Sequence, residues 1–222
     1  MIDPKIQTSI GAALSAFTKY GSYNAVPATD KLIAVFSTDK PFMDKVDDLD
    51  EVFDNEPKLE ELREVFFDLL MINFFSADAI KLEDDYLESP EWEAIEEETL
   101  DRGTELLNLL LYLTECIDEE IEPELEDYLK EFLLVDDDEF QDEYSIYEPV
   151  IENQILMESP LAEITKVAQK LPADAELKAL FYPMMAFFQH IDASEETEKA
   201  VAQHAVARDF DMAVYGILIN FK

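Results

Sequence analysis

The stretch Pro57-Lys58-Leu59-Glu60-Glu61-Leu62-Arg63-Glu64-Val65-Phe66-Phe67-Asp68-Leu69-Leu70-Met71-Ile72-Asn73-Phe74-Phe75-Ser76-Ala77 decides the fold. Leu59, Leu62, Phe66 and Leu69 fall on one helical stripe, and Val65, Phe67, Leu70, Ile72, Phe74 and Phe75 widen it almost all the way round. A helix apolar on most sides is a central helix or an oligomer contact. Asp68 and Asn73 interrupt the run, and each needs a hydrogen-bond partner if buried.

Helix signals continue on both sides. Asp3-Pro4 pairs an N-cap with proline at the first helical position and opens a helix that carries Ile6, Ile10, Ala13, Leu14 and Phe17 and ends near Gly21. Asp30 reads as the cap of a short apolar element, Leu32 to Phe36, whose β-branched content fits helix or strand, with helix preferred, and Phe42, Val46, Leu49 and Phe53 are in register for another helix. Ser89-Pro90 opens a long helix to about Ile117, acid-coated in its first half and apolar from Leu106 to Leu113. Pro123 opens the next, and Asp136-Asp137-Asp138-Glu139 starts one to about Met157, bent at Pro149. Ser159-Pro160 opens a helix to Leu171, Asp174 one through Phe188 kinked or broken at Pro183, and Ser194 a last one through His204, Phe210 and Val214. The Glu-Ser-Pro at 88–90 and at 158–160 reads as helix-start chemistry used twice rather than as a repeat. With four glycines and no Asn-Gly or Asp-Gly pair, tight β-hairpins have little to build on. The expected fold is all-α: a single compact multi-helix domain, or a short helical array, of about eight helices over residues 1–222.

Charge is regional. From Asp44 to Glu163 there are 42 acidic residues against six basic ones, whereas the segments before and after nearly balance. Because 48% of residues are hydrophobic, the chain can bury a core, so the acidity does not mean disorder. Regional acid also fits halophilic adaptation poorly, since that would coat the whole surface. Such a field favours basic partners and repels nucleic acid and anionic lipid. The 16 basic residues form no patch, which excludes direct nucleic-acid binding. No stretch has the roughly 18 apolar residues of a membrane span. Met1-Ile2-Asp3-Pro4 lacks the basic start of a signal peptide, so the expected location is cytoplasmic. The single cysteine, Cys116, cannot form an internal disulfide and reads as a small buried hydrophobe.

Catalytic motifs are missing. Neither His190 nor His204 has a glutamate three residues before it, so the Glu-x-x-His spacing of di-metal bundles is absent. Asp137 to Glu148 has acids where a calcium loop would, but Asp142 stands where the loop needs glycine. There is no Gly-x-Ser-x-Gly elbow and no glycine-rich phosphate loop. The expectation is therefore no enzyme, no cofactor and no metal site.

One feature is left to carry function. Between Glu115 and Glu148 lie 16 acids and one base, Lys130, interleaved with Tyr128, Phe132, Phe140, Tyr144 and Tyr147. The acids are either the solvent face of amphipathic helices, or the rim around a partly exposed aromatic anchor for a basic protein. The functional expectation is a non-enzymatic, cytoplasmic interaction module that presents this face to a basic partner, as an immunity-like or inhibitory binder or nucleic-acid mimic. Its contact candidates are Glu119, Glu120, Glu124, Asp127, Asp136, Asp137, Asp138, Tyr144 and Tyr147. Two alternatives stand beside it. One is a metal-assisted enzyme with carboxylates between helices near Asp68 and Asn73. The other is a structural homo-oligomer joined through Val65–Phe75 and Leu106–Leu113.

Like charges this dense repel in the folded state, and salt screens them over the roughly 8–10 Å Debye length. Moderate salt is expected to raise the melting temperature in a thermal scan. A fall would mean that the acids are held in specific attractive pairs.

Overall fold

The computed structural model describes residues 2–76, 84–136, 139–140, 146–192 and 194–222, without the side chains of 84–85, 131–136 and 139–140. The described residues form an all-α fold with more helical segments than the eight expected. Helix α1 spans Pro4–Tyr20, α2 Thr29–Ser37, α3 Phe42–Asn55 and α4 Arg63–Ser76. The one-turn α5 (Asp84–Leu87) precedes α6 (Pro90–Thr99), α7 (Leu106–Asp118) and α8 (Leu125–Leu133). After the one-turn α9 (Glu148–Ile151) come α10 (Leu161–Lys170), α11 (Phe181–Gln189), α12 (Glu195–His204) and α13 (Arg208–Phe221). Short 3-10 turns, among them Pro57–Leu62 and Gln154–Glu158, link several of these.

The apolar stripes end where their spacing puts them. Ile6, Ile10, Ala13, Leu14 and Phe17 of α1 are buried, as are Phe42, Val46, Leu49 and Phe53 of α3. In α4 every residue from Val65 to Asn73 is buried, and the helix packs against α1, α3 and α7. Helices α1 and α13 make the most extensive contact in the fold. Small residues allow it: a Cβ on Gly216 would lie 3.4 Å from the Ala12 carbonyl oxygen, and the Ser9 hydroxyl reaches the Ile217 carbonyl at 3.4 Å. Helix α13 also touches α7, α11 and α12, so the buried residues from Ile6 to Phe221 make one hydrophobic cluster. The apolar runs Val65–Phe75 and Leu106–Leu113 both pack into this cluster, with Phe74, Leu107 and Leu111 partly exposed at its edge.

Several boundaries differ from the expectation, each for a local reason. Asp30 lies inside the first turn of α2, behind the 3-10 turn Val26–Ala28, and makes no cap. Helix α11 starts at Phe181 rather than at Asp174. Pro183 then sits in its first turn, where an N–H has no helical acceptor, so the proline neither kinks nor breaks it. The last helix is two, because the buried Asp211 carboxylate accepts from the Val206 and Ala207 amides at 2.6 and 3.0 Å and holds the chain open between α12 and α13. The helix expected from Asp136 to Met157 is not continuous. Leu134–Asp136 pairs antiparallel with Glu139–Phe140, and the next described helix is α9. Successive aspartates have low helix propensity and repel each other at helical spacing.

The largest departure is the long helix from Ser89 to Ile117, which divides into α6 and α7. At the break Gly103 adopts φ +85°, a left-handed conformation that a side chain resists. Glu64 and Asp68, one turn apart on α4, hold the break in place. Glu64 accepts from the Gly103 amide at 2.7 Å and from Arg102 Nε at 3.0 Å. Asp68 accepts from the Thr104 amide at 2.9 Å and from the Thr104 hydroxyl. A Cβ on Gly103 would lie 2.6 Å from Asp68 Oδ1. Gly103→Ala is therefore expected to lower the unfolding free energy by about 2–3 kcal/mol, from the left-handed strain plus the displaced carboxylate. Urea denaturation checks this, and a loss under about 0.5 kcal/mol would show that the break does not depend on the clamp.

Candidate functional site

Six basic residues lie among the 42 acids of the middle segment, and two of them, Arg63 and Arg102, serve the same inner cluster. Arg102 grips Asp50 with two nitrogens at 3.0 and 3.1 Å, reaches Glu64 with Nε, and lies 4.8 Å over the Phe67 ring. Arg63 reaches Asp50, Asp54 and Glu60 at 2.7–2.9 Å. Both guanidiniums are held more firmly in their protonated form than usual: Arg63 first by its bond to Glu60, and Arg102 by Glu64 and Asp50 against the cost of its burial. Forked pairs on mostly buried arginines are the kind of ion pair that contributes stability. They tie α3, α4 and the α6–α7 break together.

The turn from α7 to α8 is treated differently. Residues 115–127 contain eight acids and no base. Among the described residues, the only ion pair made by these acids is Glu126–Lys130, an exposed i,i+4 pair worth a few tenths of a kcal/mol. The backbone of the turn is firmly built. The Glu120 amide donates to the Ile117 carbonyl and the Ile121 amide to the Cys116 carbonyl, the reciprocal bonds of a Schellman helix end. That motif puts residue 120 in the left-handed region, and Glu120 occupies it at φ 58°, where glycine is the usual choice. Tyr112 then pins the far side of the turn, its hydroxyl donating to the Glu124 carbonyl at 3.1 Å and accepting from the Glu124 amide at 3.0 Å.

The acids of the turn overlook apolar surface. A groove of about 500 Å³ runs between the turn, the 3-10 segment Gln154–Glu158 and the end of α11. Leu125, Met157, Phe188 and Ile191 line it, and Glu122, Glu124 and Glu126 rim it. An adjoining hollow of about 420 Å³ shares Glu122, Pro123 and Ile191 and includes Ile121. Ile121 is 45% exposed, and Ile155, next to the lining Gln154, is 69% exposed. No side chain of this groove other than Glu124 was among the candidates, because Met157, Phe188 and Ile191 arrive from segments remote in sequence and carry no motif.

The candidates do not all fall together. Glu119, Glu120 and Glu124 are exposed on the turn, and Asp127 is half-buried beside it. Asp137, Asp138 and Tyr144 lie outside the described residues, as does most of the calcium-loop-like stretch, and the Asp136 side chain is likewise not described. Tyr147 is a correction. It is 3% exposed, so it is no surface anchor. Its hydroxyl donates to Glu105 Oε2 and accepts from the Tyr128 hydroxyl at 3.1 Å, and burial raises its pKa far above the ordinary tyrosine range.

Asp68 and Asn73, where a metal-assisted site was to be sought, are occupied by structural bonds. Both oxygens of Asp68 bond to Thr104, and Asn73 Oδ1 accepts from the Asp3 amide at 3.0 Å. No group of three or more metal-ligating side chains converges among the described residues. His190 ends α11 and His204 ends α12, each half-buried. Burial lowers the His190 pKa. No described helix is long and apolar enough to cross a membrane. No protein-family model matches the chain, and no curated protein or solved structure matches it.

Asp211, 2% exposed, is pushed up to about 7 by burial, opposed by its two amide bonds and reinforced by Asp209 and Glu61. A carboxyl whose folded pKa is raised stabilises the fold fully below its unfolded pKa, and that contribution is lost as pH rises through the folded value. Asp211→Asn keeps the acceptor oxygen and removes the charge. Between pH 4 and pH 8 the wild type is expected to lose a few kcal/mol that the variant retains. Denaturant midpoints of both proteins across that range check this. Parallel profiles would show that Asp211 does not titrate there.

Proposed function

We propose that this chain is a non-enzymatic interaction protein that engages a basic protein partner through the α7–α8 turn. The reading rests on one observation: eight acids and no base are gathered on a firmly bonded turn, while Arg63 and Arg102 are spent on the inner cluster. Charges mostly left without counter-ions on a rigid frame raise the encounter rate with an opposite charge. The exposed Ile121 gives the same surface an apolar contribution. The reading in its narrowest form is an inhibitory or immunity-like binder that covers a surface its partner uses for nucleic acid, since such a surface is basic and the acidic turn imitates the phosphate charge it receives.

The test is affinity capture on the immobilised full chain from lysate of the source cells, in parallel with the Glu119→Lys, Glu120→Lys, Glu122→Lys, Glu124→Lys variant. The expected result is a basic protein held in fixed ratio by the wild type, released between about 0.1 and 0.5 M salt as the Debye length shrinks, and missing from the variant. Capture of the same protein by both, or release that ignores salt, would contradict the reading.

A further inference from the structure

Resting on that reading, we infer that the groove beneath Glu122, Glu124 and Glu126 receives an apolar side chain from a basic segment of the partner protein. The occupant follows from the chemistry of rim and floor. Three glutamates stand at the rim, with Lys130 the only cation paired to any of them among the described residues. That rim repels phosphate-bearing ligands, both nucleic acid and anionic lipid, and draws in lysine and arginine. The floor of Leu125, Met157, Phe188 and Ile191 carries no charge, and its stabilisation on binding comes from apolar area removed from water. A segment that satisfies both has cationic residues flanking one bulky apolar residue. This is the arrangement of a binding hot spot, an anchor in a pocket ringed by polar contacts that exclude water.

The groove is also fixed before anything binds. Gln189 Nε2 donates to the carbonyls of Leu156, Met157 and Ser159, at 3.0, 3.3 and 2.5 Å, and so locks the 3-10 segment against the end of α11. On the opposite wall Tyr112 holds both backbone groups of Glu124. A pre-formed cleft spares the partner the ordering cost of shaping it. Its volume of about 500 Å³ lies within the range of ligand-sized pockets.

The experiment selects binders for the full chain from a random dodecapeptide display library. The best sequence is then measured by fluorescence anisotropy against wild type, Met157→Ser, Ile191→Ser and the triple variant Glu122→Gln, Glu124→Gln, Glu126→Gln, with circular dichroism confirming each fold. Enriched peptides are expected to carry two or more Lys or Arg within four positions of one large apolar residue. Replacing that residue by serine should cost about tenfold in affinity on wild type and much less on Met157→Ser or Ile191→Ser, because the two changes remove the same contact. The triple variant should weaken every peptide and flatten its salt dependence. Basic peptides that lack an apolar residue, or an apolar residue whose loss costs the same on wild type and both groove variants, would overturn the groove and leave the acidic face standing. Enrichment of peptides without basic residues would overturn both. A library that yields no binder would overturn the groove, since a pre-formed cleft needs nothing from the rest of the partner.

Discussion

Glu64 and Asp68 hold the architecture of the acidic middle in place. Standing one turn apart on α4, they accept from three consecutive residues, Arg102, Gly103 and Thr104, and so end one helix and begin the next. Without them the chain from Ser89 to Ile117 has the periodicity to continue as one rod. With them α7 folds back along α4, and its apolar face joins the core. Asp68 is fully buried, and burial raises its pKa well above the usual carboxylate range in spite of the Thr104 bonds. Removing such a group would leave the Thr104 amide without its acceptor in the interior, a loss of about 1–3 kcal/mol.

The clamp has an electrostatic consequence elsewhere. It draws Arg102 onto Asp50 and Glu64, beside Arg63, so the strongest cations of the middle segment neutralise acids next to the core. Most acids of residues 115–127 face solvent, with Glu126 paired to Lys130 and Asp127 half-buried. The acidity therefore has two parts. The inner part is paired and helps to orient helices. The outer part lies on a turn fixed by a Schellman end and by Tyr112, above a groove floored by Leu125, Met157, Phe188 and Ile191. The proposed binding role belongs to the outer part alone.

Much of the fold was legible in the sequence because it depends on local periodicity. The stripes of α1, α3 and α4 were read residue by residue, and the Asp3-Pro4 and Ser89-Pro90 starts both form their caps. The breaks were not legible, because each depends on a residue distant in sequence. Gly103 alone is a weak helix terminator, and it becomes decisive only when Asp68, 35 positions earlier, closes on its neighbour. Asp211 opens the α12–α13 break from the helix that follows it. For the candidate site, charge density located the turn but said nothing about exposure. Tyr147 shares the acidic belt with Glu119 and Glu124, yet it bonds inward to Glu105, a partner that only tertiary structure supplies. The groove floor comes from three separate segments, and no one-dimensional pattern joins Leu125, Met157 and Ile191.

The division of the acids into a paired inner set and an open outer set is tested most directly by carbodiimide labelling of the native protein, with modification at each carboxylate followed over time by peptide mass spectrometry. Glu119, Glu120, Glu122 and Glu124 should label first, Asp50 and Glu64 more slowly, and the buried Asp68 and Asp211 only on unfolding. Labelling of Asp50 and Glu64 as fast as the turn, or early modification of Asp68, would contradict the division and with it the clamp.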